Sequence, residues 1–430
     1  MRLASRGVAC PARLGGVLGG YTSNDKCGNR NTNSTTSKDY AKIKTRSTLR
    51  IAFFTDTYLP TPTGTAVVVE TYRRHLAKLG HDVFVIAPQF AKYKDSSKNI
   101  IRVPSVQLPN RPETPLARPI TGRVLRTIKK LDLDIIHTFS IYSVGNFGLE
   151  FAKKTRRPAI FTMDALYTEH IKYYRDIFKP FARSWYIRQS RRHANQSTCV
   201  LVPTPSARRL VTKLGVVSPV HIVPAGVDVS DFSSTTPQAL RDHFNIPAGQ
   251  KILLFVGRLD EQSNIRFLLR TFREVWYKDE HVHLLLIGRG PQEDIFQKIV
   301  EREPFGDNVT FGGFMPKGEL NKVYGACDLF LFPCTNATQA IVILEAMASG
   351  LPTVAINRLA PSDIVHDNED GFLTPLNENA FSDRIIYLLR NPKIRLHFGR
   401  VARARAKAFS TQNSVLRLLN IYQKTLKHNG

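Results

Sequence analysis

The sequence predicts an α/β protein built from two facing domains, each with a parallel, doubly wound sheet. Three observations lead to this prediction. Short apolar runs recur along the chain and are typical of buried parallel strands. Each run is followed by a segment with apolar residues at helical spacing. The chain has 430 residues, 42% of them hydrophobic, which suffices for two domains of ordinary size.

The first series of strands and helices begins at residue 49. Its first helix is expected to stop at Gly80, because glycine commonly ends helices. The predicted elements are, in order, a strand over 49–56, a helix over 64–81, a strand over 82–88, strands over 134–139 and 158–164 with a crossover helix between them, and a strand–turn–helix unit over 197–215. Together they predict one Rossmann-like domain over residues 49–222.

A second series of the same kind follows a segment, 221–232, whose sequence is typical of a hinge. Its predicted strands lie within 250–260, 282–291, 308–314, 327–334, 351–357 and 370–375. This pattern predicts a second Rossmann-like domain over 223–408. The last segment, 409–430, contains an amphipathic helix that we expect to pack back on the first domain.

Residues 1–48 differ from the rest of the chain, because they are polar, rich in arginine and serine, and low in hydrophobic residues. This composition predicts either a disordered extension or an organelle-targeting segment. The sequence leaves both alternatives open.

Charge is distributed unevenly along the chain. The net charge of +26 arises from a strongly basic front half, a slightly acidic stretch over 231–390, and a final stretch over 391–430 that has no acidic residue. A chain of this kind can dock one side on an anionic surface, or it can simply present a solvated, repulsive surface.

The spacing of the cysteines and the lack of a long apolar run argue against a disulfide-rich protein, a zinc protein and a membrane-spanning protein. The five cysteines are widely spaced and form no CxxC or Cys/His pattern, so neither a disulfide framework nor a zinc site is expected. No apolar run approaches the roughly 18 residues of a membrane span. We therefore expect a cytoplasmic protein that associates peripherally with a membrane, and no metal.

Three places at the predicted carboxyl ends of strands have residues suited to phosphate. Gly64 opens a helix, where a glycine lets the backbone approach a ligand closely, although it can equally be an ordinary turn glycine. Arg258 follows a buried strand and can bind phosphate oxygens, or pair with Asp260 or Glu261.

The third place is the stretch TNATQAIVILEAMASG, residues 335–350. It predicts a loop and then a helix whose first amide groups, at Ile341 and Val342, point toward a phosphate. Glu345, one turn further on, can accept hydrogen bonds from ribose hydroxyl groups. Alternatively, it only stabilises the first turn against the helix dipole.

The segment over 170–193 interleaves aromatic and basic residues. This composition suits the interface of an anionic membrane, and also suits single-stranded nucleic acid or the packing of aromatic side chains into the first domain. Nucleic acid is the least favoured of these, because no RNA-binding signature is present. The residues we expect to contact the acceptor or the membrane are Lys172, Tyr173, Tyr174, Arg175 and Trp185.

From residue 49 to 428 the chain resembles family 4 glycosyltransferases of the GT-B fold. The stretches that carry the resemblance include RIAFFTDTYLPTPTGTAVVVETYRRHLAKLGHDVFVIAP, VPAGVD, FVGRLDEQSNIRFLLRTF, TQAIVILEAMASGLPTVA and DGFLTP. The region over 134–174 is similar to bacterial enzymes that glucosylate diacylglycerol. The resemblance implies transfer of a sugar from a UDP- or GDP-linked donor to a lipid acceptor, with retention of configuration and without a metal or cofactor.

The resemblance also implies roles for individual residues. Gly64 and Arg258 would contact the donor diphosphate, and Glu345 would hold the ribose. The predicted donor-binding residues are Gly64, Arg258, Ser263, Thr338, Ile341, Val342 and Glu345.

Four positions depart from the family pattern. Ser263 stands where the family has a lysine, and Ala337 stands where it has the first acid of the E-x7-E motif. Asp164, the candidate catalytic residue, occupies the position of a histidine, and Ala340 that of a glycine. Two functions therefore remain open: an active glycosyltransferase, or a catalytically impaired relative that acts as a binding or regulatory partner.

Overall fold

We describe a computed structural model of the protein. The structure describes residues 48–61, 63–91, 93–95, 97–108, 111–164, 179–232 and 237–429. The predicted extension over 1–48 therefore lies, apart from residue 48, outside the described residues.

The first domain contains a parallel sheet of seven described strands in the order β3-β2-β1-β6-β7-β8-β9. The strands of this part of the chain are β1 (Arg50–Phe54), β2 (Asp82–Pro88), β3 (Ile100–Val103), β4 (Ser105–Leu108), β5 (Arg111–Ala117), β6 (Ile135–Thr138), β7 (Ala159–Thr162), β8 (Cys199–Val202) and β9 (Val220–Ile222). The helices are α1 (Gly64–Lys78), α2 (Gly122–Lys129), α3 (Ser143–Thr155), α4 (Lys179–Asn195) and α5 (Pro205–Lys213).

The second domain contains a parallel sheet of six described strands in the order β12-β11-β10-β13-β14-β15. These strands are β10 (Lys251–Val256), β11 (Val282–Ile287), β12 (Val309–Gly313), β13 (Leu329–Phe332), β14 (Thr353–Ile356) and β15 (Gly371–Thr374). The helices are α6 (Pro237–Phe244), α7 (Ile265–Lys278), α8 (Glu293–Val300), α9 (Lys317–Ala326), α10 (Ile341–Ser349), α11 (Ala360–Ile364), α12 (Glu378–Arg390), α13 (Pro392–Ala406) and α14 (Thr411–Asn429).

Both faces of the second sheet are covered, which explains its continuous apolar strands. In β10, Ile252 and Leu254 belong to one hydrophobic cluster, whereas Leu253 and Phe255 belong to another on the opposite face. Successive side chains of a strand point to opposite faces, so a strand buried on both sides must be apolar at every position. The prediction of two Rossmann-like domains with parallel, doubly wound sheets is confirmed.

The first helix ends where the sequence predicted. Helix α1 stops at Lys78, and Gly80 has a φ of +88°, in the left-handed region that glycine adopts without strain.

Several elements of the first domain were not predicted, among them strands β3 and β9. Strands β4 and β5 form an antiparallel pair beside the main sheet. Their sequence gives a weak signal, because β5 contains Pro112 and Pro115, and proline is disfavoured within strands. Helix α2 was not predicted either.

Helix α14 packs against α1 and joins the buried polar groups of the first domain. The Tyr422 hydroxyl lies 2.6 Å from His137 Nδ1, and His137 Nε2 lies 2.7 Å from the Thr162 hydroxyl. Burial lowers the pKa of His137 to about 3, so its ring is neutral at physiological pH. A neutral ring has one donor and one acceptor, and the two hydroxyl groups satisfy both.

No described helix is long and apolar enough to cross a membrane. The exact domain boundaries drawn from the sequence stay predictions.

Replacing Tyr422 by phenylalanine should lower the free energy of unfolding by about 1–3 kcal/mol, because a buried ring nitrogen of His137 loses its partner. Urea denaturation followed by circular dichroism measures this loss. The control is Tyr387→Phe, at a position that is 41% exposed and should leave the unfolding midpoint unchanged. Equal midpoints for the two variants would contradict the assignment.

Candidate active site

Helix α1 of the first domain begins beside the second domain. The Thr63 side chain caps α1 by accepting a hydrogen bond from the Ala66 amide. A Cβ atom placed on Gly64 would lie 3.4 Å from Gln339 Oε1. The glycine therefore keeps the start of α1 close to the loop that precedes α10 of the second domain.

Asp164 lies just after β7 and is 5% exposed. Its Oδ2 atom accepts a hydrogen bond of 2.6 Å from the Thr65 hydroxyl at the start of α1. Its backbone carbonyl oxygen accepts one of 2.5 Å from the Thr338 hydroxyl of the second domain. The structure thus brings Gly64, Asp164 and Thr338 close to one another.

Two further contacts join the domains nearby. The Thr204 hydroxyl donates to the Thr338 carbonyl oxygen at 3.1 Å. Asp363, in α11 of the second domain, accepts a hydrogen bond of 2.7 Å from the Ser206 amide at the start of α5. Its carboxylate also lies 3.4 Å from the Arg209 guanidinium. These bonds hold the carboxyl edges of the two sheets against each other.

Helix α10 begins at Ile341 and ends before Gly350. The first amide groups of any helix lack acceptors within the helix, and they carry the positive end of its dipole. The first turn of α10 contains no acidic side chain. The amides of Ile341 and Val342 are therefore chemically suited to an anion, and their contact with a phosphate stays a prediction.

The structure gives a physical reason why a glycine suits position 340. Ala340, the residue before α10, has φ 47° and ψ 47°. An L-residue in this left-handed conformation costs about 1–2 kcal/mol relative to glycine, so the packing around Ala340 must hold it there.

Glu345 is 7% exposed and lies in the second turn of α10. The Tyr324 hydroxyl donates to Glu345 Oε2 at 2.9 Å. Burial raises the pKa of Glu345, while the charge of Lys317 and the bond from Tyr324 lower it. The alternative that Glu345 only stabilises the first turn is not supported, because its carboxylate bonds to α9 instead.

Arg258 follows β10 and pairs with Asp260, as one of the alternatives proposed. Its Nε atom lies 3.4 Å from Asp260 Oδ2, and its side chain is 48% exposed. The pairing is therefore partly solvent-screened and weak.

Ser263 faces Asp260 and carries no charge. Its hydroxyl lies 3.3 Å from Asp260 Oδ1, which also accepts hydrogen bonds from the amides of Gln262 and Ser263. Where the family has a lysine, this chain therefore has a hydroxyl group held by the carboxylate that caps the turn.

Ala337 is packed against the apolar core of the second domain. Its carbonyl oxygen accepts a hydrogen bond of 3.0 Å from the Ala360 amide. A methyl group at this position offers no hydrogen bond to a sugar.

Two bonds hold the Arg258 loop beside the loop before α10. The Asn264 side-chain amide donates to the Pro333 carbonyl oxygen at 3.2 Å, and the Cys334 thiol lies 3.3 Å from the Gln262 carbonyl oxygen. The predicted donor-binding residues lie on loops or helix starts at the carboxyl edges of the two sheets, except Glu345, which lies in the second turn of α10.

Helix α4 carries the described part of the predicted acceptor or membrane surface. Trp185 is 47% exposed and Phe181 is 75% exposed, whereas Tyr186 is buried against Tyr142. Among the described aromatic residues of this helix, the alternative that they pack into the first domain holds for Tyr186. Lys172, Tyr173, Tyr174 and Arg175 lie outside the described residues.

Sequence reasoning missed three residues of the site, namely Thr65, Tyr324 and Gln339. Thr65 adjoins Gly64 and could have been found by that position alone. Tyr324 lies on the buried face of α9. Its position in the sequence therefore does not indicate a polar role. Among the described residues, no group of three or more His, Cys, Asp or Glu side chains could hold a metal ion.

The two parallel-sheet domains define the GT-B fold. The family model described as Glycosyltransferase Family 4 matches residues 62–231, and the model described as Glycosyl transferases group 1 matches residues 238–405. The chain belongs to glycosyltransferase family 4.

Two relatives and one solved structure illustrate the likeness. The chain is 27% identical over 357 residues to the alpha-monoglucosyldiacylglycerol synthase of Acholeplasma laidlawii, covering 80% of this chain and 89% of that protein. It is 27% identical over 355 residues to a GDP-mannose-dependent alpha-mannosyltransferase of Mycobacterium tuberculosis, covering 79% and 88%. The fold is similar to that of Anabaena Alr3699/HepE in complex with UDP, with a TM-score of 0.71, 15% identity, and coverage of 87% and 100%.

Replacing Ser263 by lysine should tighten the binding of UDP or GDP by roughly 10- to 150-fold, because a charge-assisted hydrogen bond contributes about 1.5–3 kcal/mol. Isothermal titration calorimetry measures the change. Val217→Lys, at a site that is 84% exposed and remote in sequence, is the control for added charge. An affinity no higher than that of the control would show that Asp260 neutralises the new lysine.

Proposed function

We propose that the protein is a retaining glycosyltransferase that moves a sugar from a UDP- or GDP-linked donor to a lipid acceptor, such as diacylglycerol. The observation that carries this proposal is the convergence of Gly64, Asp164 and Thr338 beside the start of α10. It occurs in a chain that resembles a diacylglycerol glucosyltransferase over 80% of its length. No metal or cofactor is part of the proposal.

In this proposal the donor diphosphate binds the amide groups at the start of α10. The helix dipole and the half-exposed Arg258 guanidinium supply positive potential there. Gly64 lets the start of α1 approach the diphosphate from the opposite side. Glu345, which already accepts a bond from Tyr324, turns its carboxylate to the ribose.

The transferred sugar then lies toward Asp164. As the bond to the diphosphate breaks, negative charge develops on the leaving group and positive charge on the sugar ring. The α10 amides and Arg258 stabilise the first, and the Asp164 carboxylate, oriented by the Thr65 hydroxyl, stabilises the second. Ser263 contributes no charge to this step.

The lipid acceptor reaches the site from a membrane surface in this proposal. Helix α4 exposes Phe181 and Trp185 near its start and Arg188 and Arg191 further along. Exposed aromatic side chains insert at the headgroup level, while arginines attract anionic lipids. The protein would thus be cytoplasmic and peripherally bound to a membrane.

A second function is favoured by two specific observations. Ser263 is bound to Asp260, and the Ala337 methyl group packs against the core, so neither can replace the group that the family has there. Loss of both interactions would leave a catalytically impaired relative that acts as a binding or regulatory partner.

The purified protein should release UDP or GDP and form a glycolipid when mixed with a sugar donor and vesicles that contain diacylglycerol and phosphatidylglycerol. Arg258→Ala and Glu345→Ala should each lower the rate by about 10-fold or more, because the first removes the cation that contacts the diphosphate and the second removes the acceptor of hydrogen bonds from the ribose. Chromatography of radiolabelled lipid, with UDP-glucose, UDP-galactose and GDP-mannose as donors, measures the product.

The control for this experiment is Arg273→Ala, which removes an arginine from the surface of α7 and should leave the rate unchanged. Absence of product with every donor, together with retained binding of UDP or GDP, would favour the impaired partner over the enzyme.

The double variant Phe181→Ser, Trp185→Ser should lose most of its binding to vesicles of phosphatidylglycerol, because the exposed aromatic groups no longer enter the interface. Sedimentation with vesicles measures the bound fraction. Tyr277→Ser, which removes an aromatic side chain that is 64% exposed in the second domain, is the matched control. Equal binding by both variants would place the membrane surface elsewhere.

A further inference from the structure

Arg102, in the edge strand β3, is the centre of a hydrogen-bonded cluster in the first domain. Its Nε and Nη2 atoms donate to the two carboxylate oxygens of Asp95 at 2.9 and 2.6 Å. Its Nη1 atom donates to the Pro88 carbonyl oxygen at 2.7 Å, and Nη2 also donates to the Leu59 carbonyl oxygen at 2.7 Å. Every nitrogen of the guanidinium therefore has an acceptor. We call Arg102, Asp95, Pro88 and Leu59 the arginine clamp.

Three aromatic rings surround the same guanidinium. Its Cζ atom lies 5.4 Å from the centre of the Tyr58 ring, 5.5 Å from that of Tyr93 and 5.9 Å from that of Phe90. The Arg102 side chain is 13% exposed. A planar guanidinium stacks on aromatic faces while its edge donates hydrogen bonds, whereas the ammonium group of lysine is a compact charge with fewer donors. These surroundings therefore suit arginine and not lysine.

The arginine clamp joins two loops at the carboxyl edge of the first sheet. Leu59 belongs to the loop between β1 and α1, whereas Pro88 ends β2 and Asp95 follows it. In the sheet, β2 lies between β1 and β3. Arg102 therefore reaches past the end of β2 and holds the loop that leads to α1.

A second set of bonds holds the same loop from α1. The Tyr58 hydroxyl donates to Glu70 Oε2 at 2.5 Å, and Arg73 Nε donates to the same oxygen at 2.7 Å. Burial and the bond to Glu70 raise the pKa of Tyr58, so its hydroxyl remains a donor. Tyr58, which is fully buried, is thus held by α1 through its hydroxyl and by Arg102 across its ring.

Turn bonds connect this loop to the candidate site. The Thr61 amide donates to the Tyr58 carbonyl oxygen at 3.2 Å, and the Thr63 amide donates to the Thr61 carbonyl oxygen at 2.9 Å. Thr63 caps α1, whose first residues are Gly64 and Thr65. The position of Thr65 therefore depends on the loop that the arginine clamp holds.

We infer that Arg102 is a positioning residue for sugar transfer, because it holds the loop before α1 in the place where the Thr65 hydroxyl meets Asp164. The hydrogen bonds of Arg102 go to the other members of the clamp, so it acts on the site through this loop. The inference rests on the proposed function, whose site it connects to the edge strand β3.

Steady-state kinetics of Arg102→Lys, measured as release of UDP or GDP with the donors and vesicles of the transfer assay, tests the inference. The variant keeps the charge but loses the paired hydrogen bonds and the stacking, so kcat should fall by about 10-fold or more. The affinity for UDP or GDP should change by less than about 3-fold, because under the proposed function it depends chiefly on the second domain.

The matched control is Arg395→Lys, in α13 of the second domain. The Arg395 side chain is 12% exposed, and it is also paired with a carboxylate, that of Asp328, at 3.2 Å. This variant should lose thermal stability to a degree similar to that of Arg102→Lys but keep the kcat of the wild type.

A double-mutant cycle with Thr65→Val separates positioning from a general loss of structure. If Arg102 acts through Thr65, adding Arg102→Lys to Thr65→Val should change kcat by less than about 3-fold, because the bond to Asp164 is already lost. Losses that multiply would show that Arg102 only supports the edge of the sheet, and they would overturn the inference.

Hydrogen exchange gives a readout that does not require the reaction. Arg102→Lys should raise the exchange rates of the amides of residues 63–67, at the start of α1, by about 10-fold or more, and Arg395→Lys should leave them unchanged. Tyr93→Leu removes only a ring that is 39% exposed, so it should fold and lower kcat by about 2- to 5-fold.

The outcomes separate this inference from the proposed function. Unchanged kcat and unchanged exchange over 63–67 in Arg102→Lys overturn the inference, even if the wild-type protein transfers sugar. A wild-type protein that forms no glycolipid overturns the proposed function. In that case faster exchange in Arg102→Lys still supports the positioning of α1 by Arg102, and unchanged exchange overturns it.

Discussion

The hydrogen bond from the Thr338 hydroxyl to the Asp164 carbonyl oxygen is the contact on which the candidate site depends. It joins a residue after a strand of the first sheet to the loop before α10 of the second. The carboxyl ends of parallel strands lie at the same edge of a sheet. A bond between the carboxyl edges of the two sheets therefore holds the loops that follow their strands near one another. The Thr204 and Asp363 contacts keep the same two edges together. The candidate site is thus formed by residues of both domains.

The positive potential near the start of α10 and Arg258 is weaker than the resemblance to family 4 implies. The helix dipole of α10 and Arg258 remain, but Asp260 lies beside Arg258 and also binds Ser263. Tyr324 holds Glu345, the proposed ribose ligand, in a buried position. Under the proposed function, the groups for the nucleotide are therefore retained more completely than those for the sugar.

The fold could be predicted from the sequence because its strands are buried on both faces. Apolar runs such as 252–256 leave no alternative to a covered parallel sheet. The hairpin of β4 and β5 could not be predicted in this way, since its prolines contradict the usual strand signal.

The site residues likewise differ in how well the sequence predicts them. Arg258 and Glu345 stand in recognisable motifs. Thr65 and Tyr324, in contrast, acquire their roles only through partners that are 99 and 21 residues away in the sequence.

The return of helix α14 to the first domain has a consequence for synthesis of the protein. Tyr422 completes the hydrogen bonds of His137 across 285 residues of chain. The buried histidine of the first domain can therefore be satisfied only after the chain has been translated as far as Tyr422. Contacts of such long sequence separation slow folding and prolong the exposure of apolar surface in the nascent chain.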